Sequence, residues 1–213
     1  MGGNQDGTIT AYTDGSCENN GGEDAVAGAG IFVTENNPLN RAIRIPNELV
    51  QSNQTGEIIS IKEIAENTPL TTGLDILSDS LTMVEGLTRN LRKWENKGFT
   101  NVANSLEIQV TVARMRARQA PTKLKWVKGH AGIRGNERAD ELANAGRQKN
   151  EEDLIDLTIP RDLRVTGMKL NTITQSMAYA KIREELIDSE GYEKATHQTS
   201  TMKNLHLAKQ SVS

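Results

Sequence analysis

The stretch 129–143, GHAGIRGNERADELA, is the most informative part of this 213-residue sequence. Glycines on both sides of His130 predict a flexible loop, and a strand predicted at 124–127 leads into it. A helix is predicted from about 137 to 149, with Asp140 in its first turns and Asn136 as a candidate cap. The stretch therefore carries a histidine and a carboxylate between a strand and a helix.

Outward from this stretch, hydrophobic alternation and turn signals predict the remaining elements. Strands are predicted over 8–13, near 27–34, over 41–50 and over 74–78, and helices over 55–66, 80–95 and 105–118. The first three strands read as a meander. The order βββαβααβα predicts the α/β class with a mixed sheet.

Four acidic residues stand where a sheet could collect them: Asp14, Glu57, Asp79 and Asp140. The carboxyl ends of neighbouring parallel strands share a crevice, so Asp14 and Asp79 meet if the first strand lies beside the fourth. Two carboxylates about 4 Å apart repel by roughly 4 kcal/mol at an effective dielectric constant near 20, so such a cluster calls for a divalent cation. Oxygen donors favour Mg²⁺ or Mn²⁺ over zinc, which points to phosphodiester chemistry.

Each acid also has a purely structural explanation at this level. Asp14 precedes Gly-Ser and fits a turn former, because an aspartate side chain bonds its own backbone nearby. Asp79 fits a helix cap, and Glu57 fits a first-turn acid that suits the helix dipole. Spacing alone leaves these alternatives open.

Four short motifs follow one another along the chain: YTDGSC at 12–17, SNQTGE at 52–57, SDS at 78–80, and the stretch 129–143. Together they resemble the type 1 ribonuclease H family over about residues 8–147. The resemblance implies a ribonuclease H-like fold, a five-stranded mixed sheet with helices on both faces. It also implies that Asp14, Glu57, Asp79 and Asp140 are metal ligands.

The activity that the resemblance implies is endonucleolytic hydrolysis of the RNA strand of RNA–DNA hybrids, leaving 5′-phosphate and 3′-hydroxyl ends. Two Mg²⁺ ions, replaceable by Mn²⁺, would activate water and stabilise the departing oxygen. Asp14 is the candidate bridging ligand, with Glu57 and Asp79 on one ion and Asp140 on the other. His130 is a candidate proton carrier or product-release aid; its alternative is a surface loop histidine.

A hybrid nuclease must sense 2′-hydroxyl groups on one strand only, through the minor groove. The resemblance assigns this task to Gly15, Ser16, Asn20, Asn53, Gln54 and Glu57. It also implies a channel for the DNA strand at Trp94 and a DNA-phosphate pocket at Ser52 and Asn104. Thr82 departs from the pattern, because a second channel aromatic is expected there, so we expect weaker DNA-strand binding.

Composition limits the alternatives. The net charge is −3, which argues against gripping nucleic acid by bulk charge. Seven basic residues lie between Glu107 and Glu137 with no intervening acid, and they predict either a solvated face or a local basic strip. The longest apolar runs are only a few residues, so no membrane association is expected. A single cysteine and the absence of a signal stretch favour an intracellular location.

Three segments are predicted. Residues 1–7 form a flexible N-terminus, 8–150 a ribonuclease H domain, and 151–213 a C-terminal helical extension with an amphipathic helix over about 167–188 and a flexible end. The sequence at 165–170 and 174–179 resembles segments of the ribonuclease H domain of fungal retroelement reverse transcriptases. The extension would then contact other domains of a larger polyprotein.

Two other functions stay open from the sequence. One is a DNA-directed nuclease or transposase-like member of the same superfamily. The other is a non-catalytic nucleic-acid-binding module of a retroelement polyprotein.

Overall fold

Five strands form one sheet in the order β3-β2-β1-β4-β5 in the computed structural model, which describes residues 7–165 and 169. The strands are β1 Ile9–Glu18, β2 Val26–Phe32, β3 Arg41–Arg44, β4 Leu74–Ser78 and β5 Thr122–Trp126. The helices are α1 Asn53–Asn67, α2 Leu81–Glu85, α3 Leu91–Asn96, α4 Ser105–Ala117 and α5 Arg134–Arg147. The predicted α/β class and element order are confirmed. The amphipathic helix predicted at 167–188 lies outside the described residues, as does the N-terminus except for Gly7.

The sheet is mixed, as predicted. Strand β1 pairs antiparallel with β2 and parallel with β4, and β4 pairs parallel with β5. The parallel register of β1 and β4 ends at Thr13 opposite Ser78. The next residues along the two strands are Asp14 and Asp79, so the register sets these two acids side by side.

Helices cover both faces of the sheet, and glycines mark where two of them touch it. On one face α1 meets β1 at Gly15, where an added Cβ would lie 2.3 Å from the carbonyl oxygen of Asn53. On the other face α5 meets β2 at Gly30, where a Cβ would lie 2.0 Å from the carbonyl oxygen of Ala139. Both contacts require residues without side chains, because a Cβ would overlap a helix backbone. The main apolar core includes Ile58, Ile61, Ile76 and Ile31, all buried.

Two strands differ in length from the prediction. Strand β1 continues past residue 13, because its antiparallel pairing with β2 runs on to Glu18 opposite Val26. Asp14 therefore lies inside a strand and not in a turn. Strand β3 ends at Arg44 instead of reaching residue 50. Pro46 lacks a backbone N–H and cannot extend the ladder.

The helix predicted over 80–95 is interrupted. A π-helical turn at Gly86–Asn90 separates α2 from α3. The ring of Trp94 fills the space beside Gly86, where a Cβ would lie 2.4 Å from Cη2. Trp94 is half-buried against the core, and single π turns inside helices occur frequently at functional sites.

Residues 151–165, assigned by sequence to the extension, lie against the domain. The backbone N–H of Asp153 donates to the carbonyl oxygen of Arg44 at 3.1 Å, and the N–H of Arg44 donates to Oδ2 of Asp153 at 2.7 Å. Arg114 on α4 forms an ion pair of 2.7 Å with Asp156. Ile159 is buried against Val110 and Ala113 of α4. This segment thus ties the β3 edge to α4.

We expect truncation after residue 150 to destabilise the protein relative to truncation after residue 165. The shorter chain loses the burial of Ile159 and the partial burial of Ile155 and Leu157, worth about 2 kcal/mol in total. Urea unfolding of the two truncated chains measures the difference. Coincident unfolding curves would show that the segment adds no stability.

Candidate metal centre and nucleic-acid interface

Three of the four predicted acids meet in one place. Asp14, Glu57 and Asp79 each offer a carboxylate oxygen, and these oxygens lie within 4.8 Å of one another. Asp14 and Glu57 are buried and Asp79 is partly exposed. The three come from β1, from α1 and from the end of β4. The group is therefore a half-enclosed set of oxygen donors of the kind that binds Mg²⁺ or Mn²⁺.

The close approach of α1 to β1 brings Glu57 to Asp14. A Cβ on Gly15 would lie 2.4 Å from the backbone nitrogen of Glu57, and a Cβ on Gly56 would lie 2.8 Å from Cα of Gly15. Backbone therefore packs directly on backbone at this point. Ser52 begins the helix, with its hydroxyl accepting from the N–H of Thr55 at 3.1 Å.

We expect Gly15→Ala to push α1 away from β1 and to destabilise the protein by about 1–3 kcal/mol, because overpacking a tight contact forces backbone shifts. The variant should also bind divalent cations more weakly, since Glu57 moves with the helix. Urea unfolding and a Mn²⁺ titration measure the two effects. Unchanged values for both would mean that the helix adapts without moving Glu57.

Burial and nearby negative charge raise the pKa of two of these carboxyls. Burial, followed by the charge of Asp79, raises the pKa of Asp14 to about 7. Burial, followed by the charge of Asp14, raises the pKa of Glu57 well above its usual value. A bound divalent cation would offset the repulsion between the carboxylates, so the donor set fits a metal ion.

Asp79 is held by groups from β5 and α5. Asn136 Nδ2 donates to Asp79 Oδ2 at 3.0 Å, and Trp126 Nε1 donates to the Asp79 carbonyl oxygen at 3.0 Å. A Cβ on Gly129 would lie 2.6 Å from Asp79 Oδ2, so the glycine leaves room for the carboxylate. These contacts fix one carboxylate oxygen of Asp79.

Asn136 and Ser78 are site residues that the sequence reasoning missed. Asn136 was interpreted as a helix cap, but α5 begins at Arg134 and Asn136 is buried inside its first turn. Its spacing of four residues from Asp140 was a usable signal, because such residues share a helix face. Ser78 Oγ donates to Glu57 Oε2 at 3.3 Å; the sequence offered no signal for this contact.

Asp140 is the fourth predicted ligand and lies outside the group of oxygens within 4.8 Å. It is close enough for its charge to contribute to the raised pKa of Asp14. Asn144 Nδ2 donates to Asp140 Oδ1 at 2.9 Å. His130 lies exposed on the loop between β5 and α5 with a φ of 49°, in the left-handed region that histidine adopts more readily than most residues.

The residues assigned to substrate binding lie on β1 and in the turn after it, at the amino end of α1, at the π turn and just before α4. Gly15 and Ser16 continue β1 beyond Asp14, and Asn53 and Gln54 form the first turn of α1. Asn20 is exposed in the turn after β1, and Trp94 packs at the π turn described above.

Ser52 and Asn104 meet through Thr55. Asn104 Nδ2 donates to Thr55 Oγ1 at 3.4 Å, and the hydroxyls of Thr55 and Ser52 lie 2.9 Å apart. The structure thus joins these two predicted residues at the amino end of α1.

The basic run between Glu107 and Glu137 is largely neutralised within the fold. Arg114, Arg116, Lys125 and Arg134 form ion pairs with acids of the domain. Arg118 is buried and donates to backbone carbonyls at the end of α1 and in the loop after it. Of the seven basic residues of the run, Arg118, Lys123 and Lys128 form no ion pair with the described residues.

The residue pattern and fold agree with comparisons to known proteins. The RNase H family model matches residues 6–148. Ribonuclease H1 of Homo sapiens is 33% identical over 150 residues, covering 68% of this chain and 51% of the relative. Ribonuclease H of Roseobacter denitrificans is 33% identical over 146 residues, covering 65% of this chain and 94% of the relative. The chain belongs to the type 1 ribonuclease H family, and it spans about half the length of the first eukaryotic relatives.

Solved structures show the same fold. The crystal structure of LC9-RNase H1, a type 1 RNase H with the type 2 active-site motif, has a TM-score of 0.57 at 22% identity and covers 84% of this chain and 87% of that one. A foamy viral protease-reverse transcriptase in complex with an RNA/DNA hybrid has a TM-score of 0.54 at 17% identity, covering 67% of this chain and 20% of that one. None of the described helices is long and apolar enough to cross a membrane.

Proposed function

We propose that this chain is a metal-dependent endoribonuclease that hydrolyses the RNA strand of RNA–DNA hybrids, leaving 5′-phosphate and 3′-hydroxyl ends. The observation that carries the proposal is the convergence of Asp14, Glu57 and Asp79 within 4.8 Å. Membership of the ribonuclease H family supports the substrate class.

The four carboxylates would hold two Mg²⁺ ions, for which Mn²⁺ can substitute. Asp14 is the proposed bridge, Glu57 and Asp79 would bind one ion, and Asp140 the other. Bound there, the ions would supply Lewis acidity to activate water and to stabilise the leaving oxygen of the phosphodiester.

The side chains around the carboxylates have positioning tasks. Asn136 occupies one oxygen of Asp79 and leaves the other for a ligand. The Ser78 hydroxyl donates to Glu57 and orients it in the same way. Partners of this kind commonly fix the orientation of a metal-binding carboxylate.

His130 is proposed as the proton carrier or product-release aid. It is exposed, and Gly129 and Gly132 flank its loop. An imidazole can accept a proton at one ring nitrogen and donate one from the other, as proton carriers do. The loop position allows the imidazole to reach toward the carboxylates and withdraw again.

Hybrid recognition is proposed for the surface beside the carboxylates. Gly15, Ser16, Asn20, Asn53, Gln54 and Glu57 would contact the minor groove. The hydroxyls at Ser52 and Thr55 with the Asn104 amide form a polar group at a helix amino end, which suits a DNA phosphate. Glu57 and Ser52 are separated by about 7.5 Å of helix rise. Trp94 is proposed to line the DNA-strand channel.

A labelled substrate series tests the proposal. RNA–DNA hybrid, duplex RNA and duplex DNA are each incubated with Mg²⁺ or with chelator, and the fragment ends are analysed. We expect cleavage of the hybrid alone, in its RNA strand and only with Mg²⁺. Cleavage of duplex DNA would favour a DNA-directed nuclease, and binding without cleavage would favour a non-catalytic module.

A further inference from the structure

Alternate side chains of β1 lie opposite side chains of α5. Asp14, Ser16 and Glu18 alternate along β1 and so point to one face of the sheet. This is the face toward α5, because their neighbours Gly30 and Gly28 on β2 contact Ala139 and Ala143 of that helix.

Two of these facing residues of β1 make direct contacts with α5. Ser16 Oγ donates to Asn144 Oδ1 at 2.6 Å, and Arg147 Nη1 donates to Glu18 Oε2 at 2.5 Å. Arg147 Nε also donates to Asn144 Oδ1 at 3.1 Å. The third residue, Asp14, lies on the side of Asp140, whose charge contributes to the raised pKa of Asp14.

Asn144 is the centre of this arrangement. Its Nδ2 donates to Oδ1 of Asp140 at 2.9 Å and to the Asp140 carbonyl oxygen at 3.0 Å. The orientation of the amide follows from chemistry, because a carboxylate only accepts and the arginine Nε only donates. The amide nitrogen must therefore face Asp140, and the amide oxygen must face Arg147.

Only one oxygen of Asp140 is engaged in this way. Within residues 7–165, Oδ2 of Asp140 takes part in no hydrogen bond or ion pair. The carboxylate is therefore held through one oxygen, and its other oxygen has no partner among these residues. This arrangement suits a carboxylate that binds a cation through one oxygen.

We propose that Asn144, held by Ser16 and Arg147, is a positioning residue that sets Asp140 for a divalent cation shared with Asp14. The inference rests on the proposed function, because it assigns Asp140 to that metal centre. It also gives Ser16 a task besides the proposed substrate contact: its hydroxyl fixes the Asn144 amide.

The test uses Asn144→Ala, Ser16→Ala and the double variant, with Gln148→Ala as the matched control. Gln148 is exposed at the end of the same helix, one turn beyond Asn144. Mn²⁺ binding to the full chain, followed by the signal of free Mn²⁺, is measured alongside the Mg²⁺ dependence of hybrid cleavage. Thermal melts verify that each variant is folded.

We expect Asn144→Ala to lower the affinity of the lower-affinity Mn²⁺ site by about tenfold. The Mg²⁺ concentration that gives half-maximal cleavage should rise by a similar factor, and KM for the hybrid should not change. Ser16→Ala should give a smaller loss of the same kind. It should add nothing in the Asn144→Ala background, because Ser16 acts through Asn144.

Cation affinities of Asn144→Ala equal to those of the parent and of Gln148→Ala would overturn the proposal. Independent, multiplying effects of the two substitutions on Mn²⁺ affinity would overturn the assigned task of Ser16. If the parent does not cleave the hybrid with Mg²⁺, the proposed function fails. The Mn²⁺ affinities still decide the role of Asn144 in that case.

Discussion

Asp79→Asn is expected to lower Mg²⁺-dependent cleavage of the hybrid by at least about 10³-fold while leaving hybrid binding within about twofold, as expected for loss of an electrostatic contribution made only in the transition state. Asparagine preserves the shape of the side chain but removes one of three charges that meet within 4.8 Å. The Asp79 carbonyl can still accept from Trp126, because that contact is to the backbone.

Asp75→Asn is the matched control for this variant. Asp75 lies on the same strand, and its carboxylate forms a 2.6 Å ion pair with Lys125, not with the cluster. Single-turnover cleavage and filter binding of the hybrid measure the two effects. Parental turnover in Asp79→Asn, or an equal loss in Asp75→Asn, would contradict the role of Asp79.

Asp14→Asn is expected to stabilise the metal-free protein near pH 8 while abolishing cleavage. Folding raises the pKa of the Asp14 carboxyl to about 7. A carboxyl with a raised pKa in the folded state binds its proton more tightly there than in the unfolded chain. The folded state is then destabilised as the pH rises from about 4 to about 7, and the full cost remains above that range.

Removing the charge of Asp14 removes this cost, on the order of 2–4 kcal/mol at alkaline pH, since one pKa unit is worth about 1.4 kcal/mol. The asparagine oxygen can still accept the Gly15 N–H that now donates to Asp14 Oδ1 at 2.8 Å. Thermal melts in chelator near pH 4 and pH 8 measure the effect, which should be present only at the higher pH. A lower melting temperature for Asp14→Asn than for the parent near pH 8 would show that the charge repulsion at Asp14 is not the dominant energy at this site.

The sequence predicts that Asp14 and Asp79 meet on the condition that the first strand lies beside the fourth. The parallel pairing of β1 with β4 meets this condition, although β1 continues beyond Asp14. Glu57 could be added only through the family resemblance, because its position depends on the close packing of Gly15 and Gly56. That contact joins residues far apart in the chain, and no local pattern reports it.

The hydrogen-bond partners of the carboxylates were not among the residues predicted from the sequence. Asn136 and Asn144 look like ordinary polar positions of an exposed helix, and only the placement of α5 over β1 reveals what they contact. The extent of β1 was underestimated because the Gly-Ser pair after Asp14 is a turn signal in isolation. Pairing with β2 overrides that local preference.

The basic run is a further case in which the folded structure changes an interpretation. The absence of acids within the run predicts either a solvated face or a local basic strip. Acids from elsewhere in the fold, such as Glu95 and Asp75, pair with its members. Because the acids that pair with these basic residues lie far from them in the sequence, a run of like charges is a poor guide to the surface potential.

The most direct test of the metal centre is a calorimetric Mn²⁺ titration of the parent chain and Asp79→Asn near neutral pH, in two buffers of different ionisation enthalpy. We expect the parent to bind Mn²⁺ with proton release, because burial raises the pKa of Asp14 to about 7 and a cation binds the deprotonated carboxylate. Asp79→Asn should bind at least about tenfold more weakly. Equal affinity in the two proteins, with no proton released, would contradict a divalent cation site at these three carboxylates.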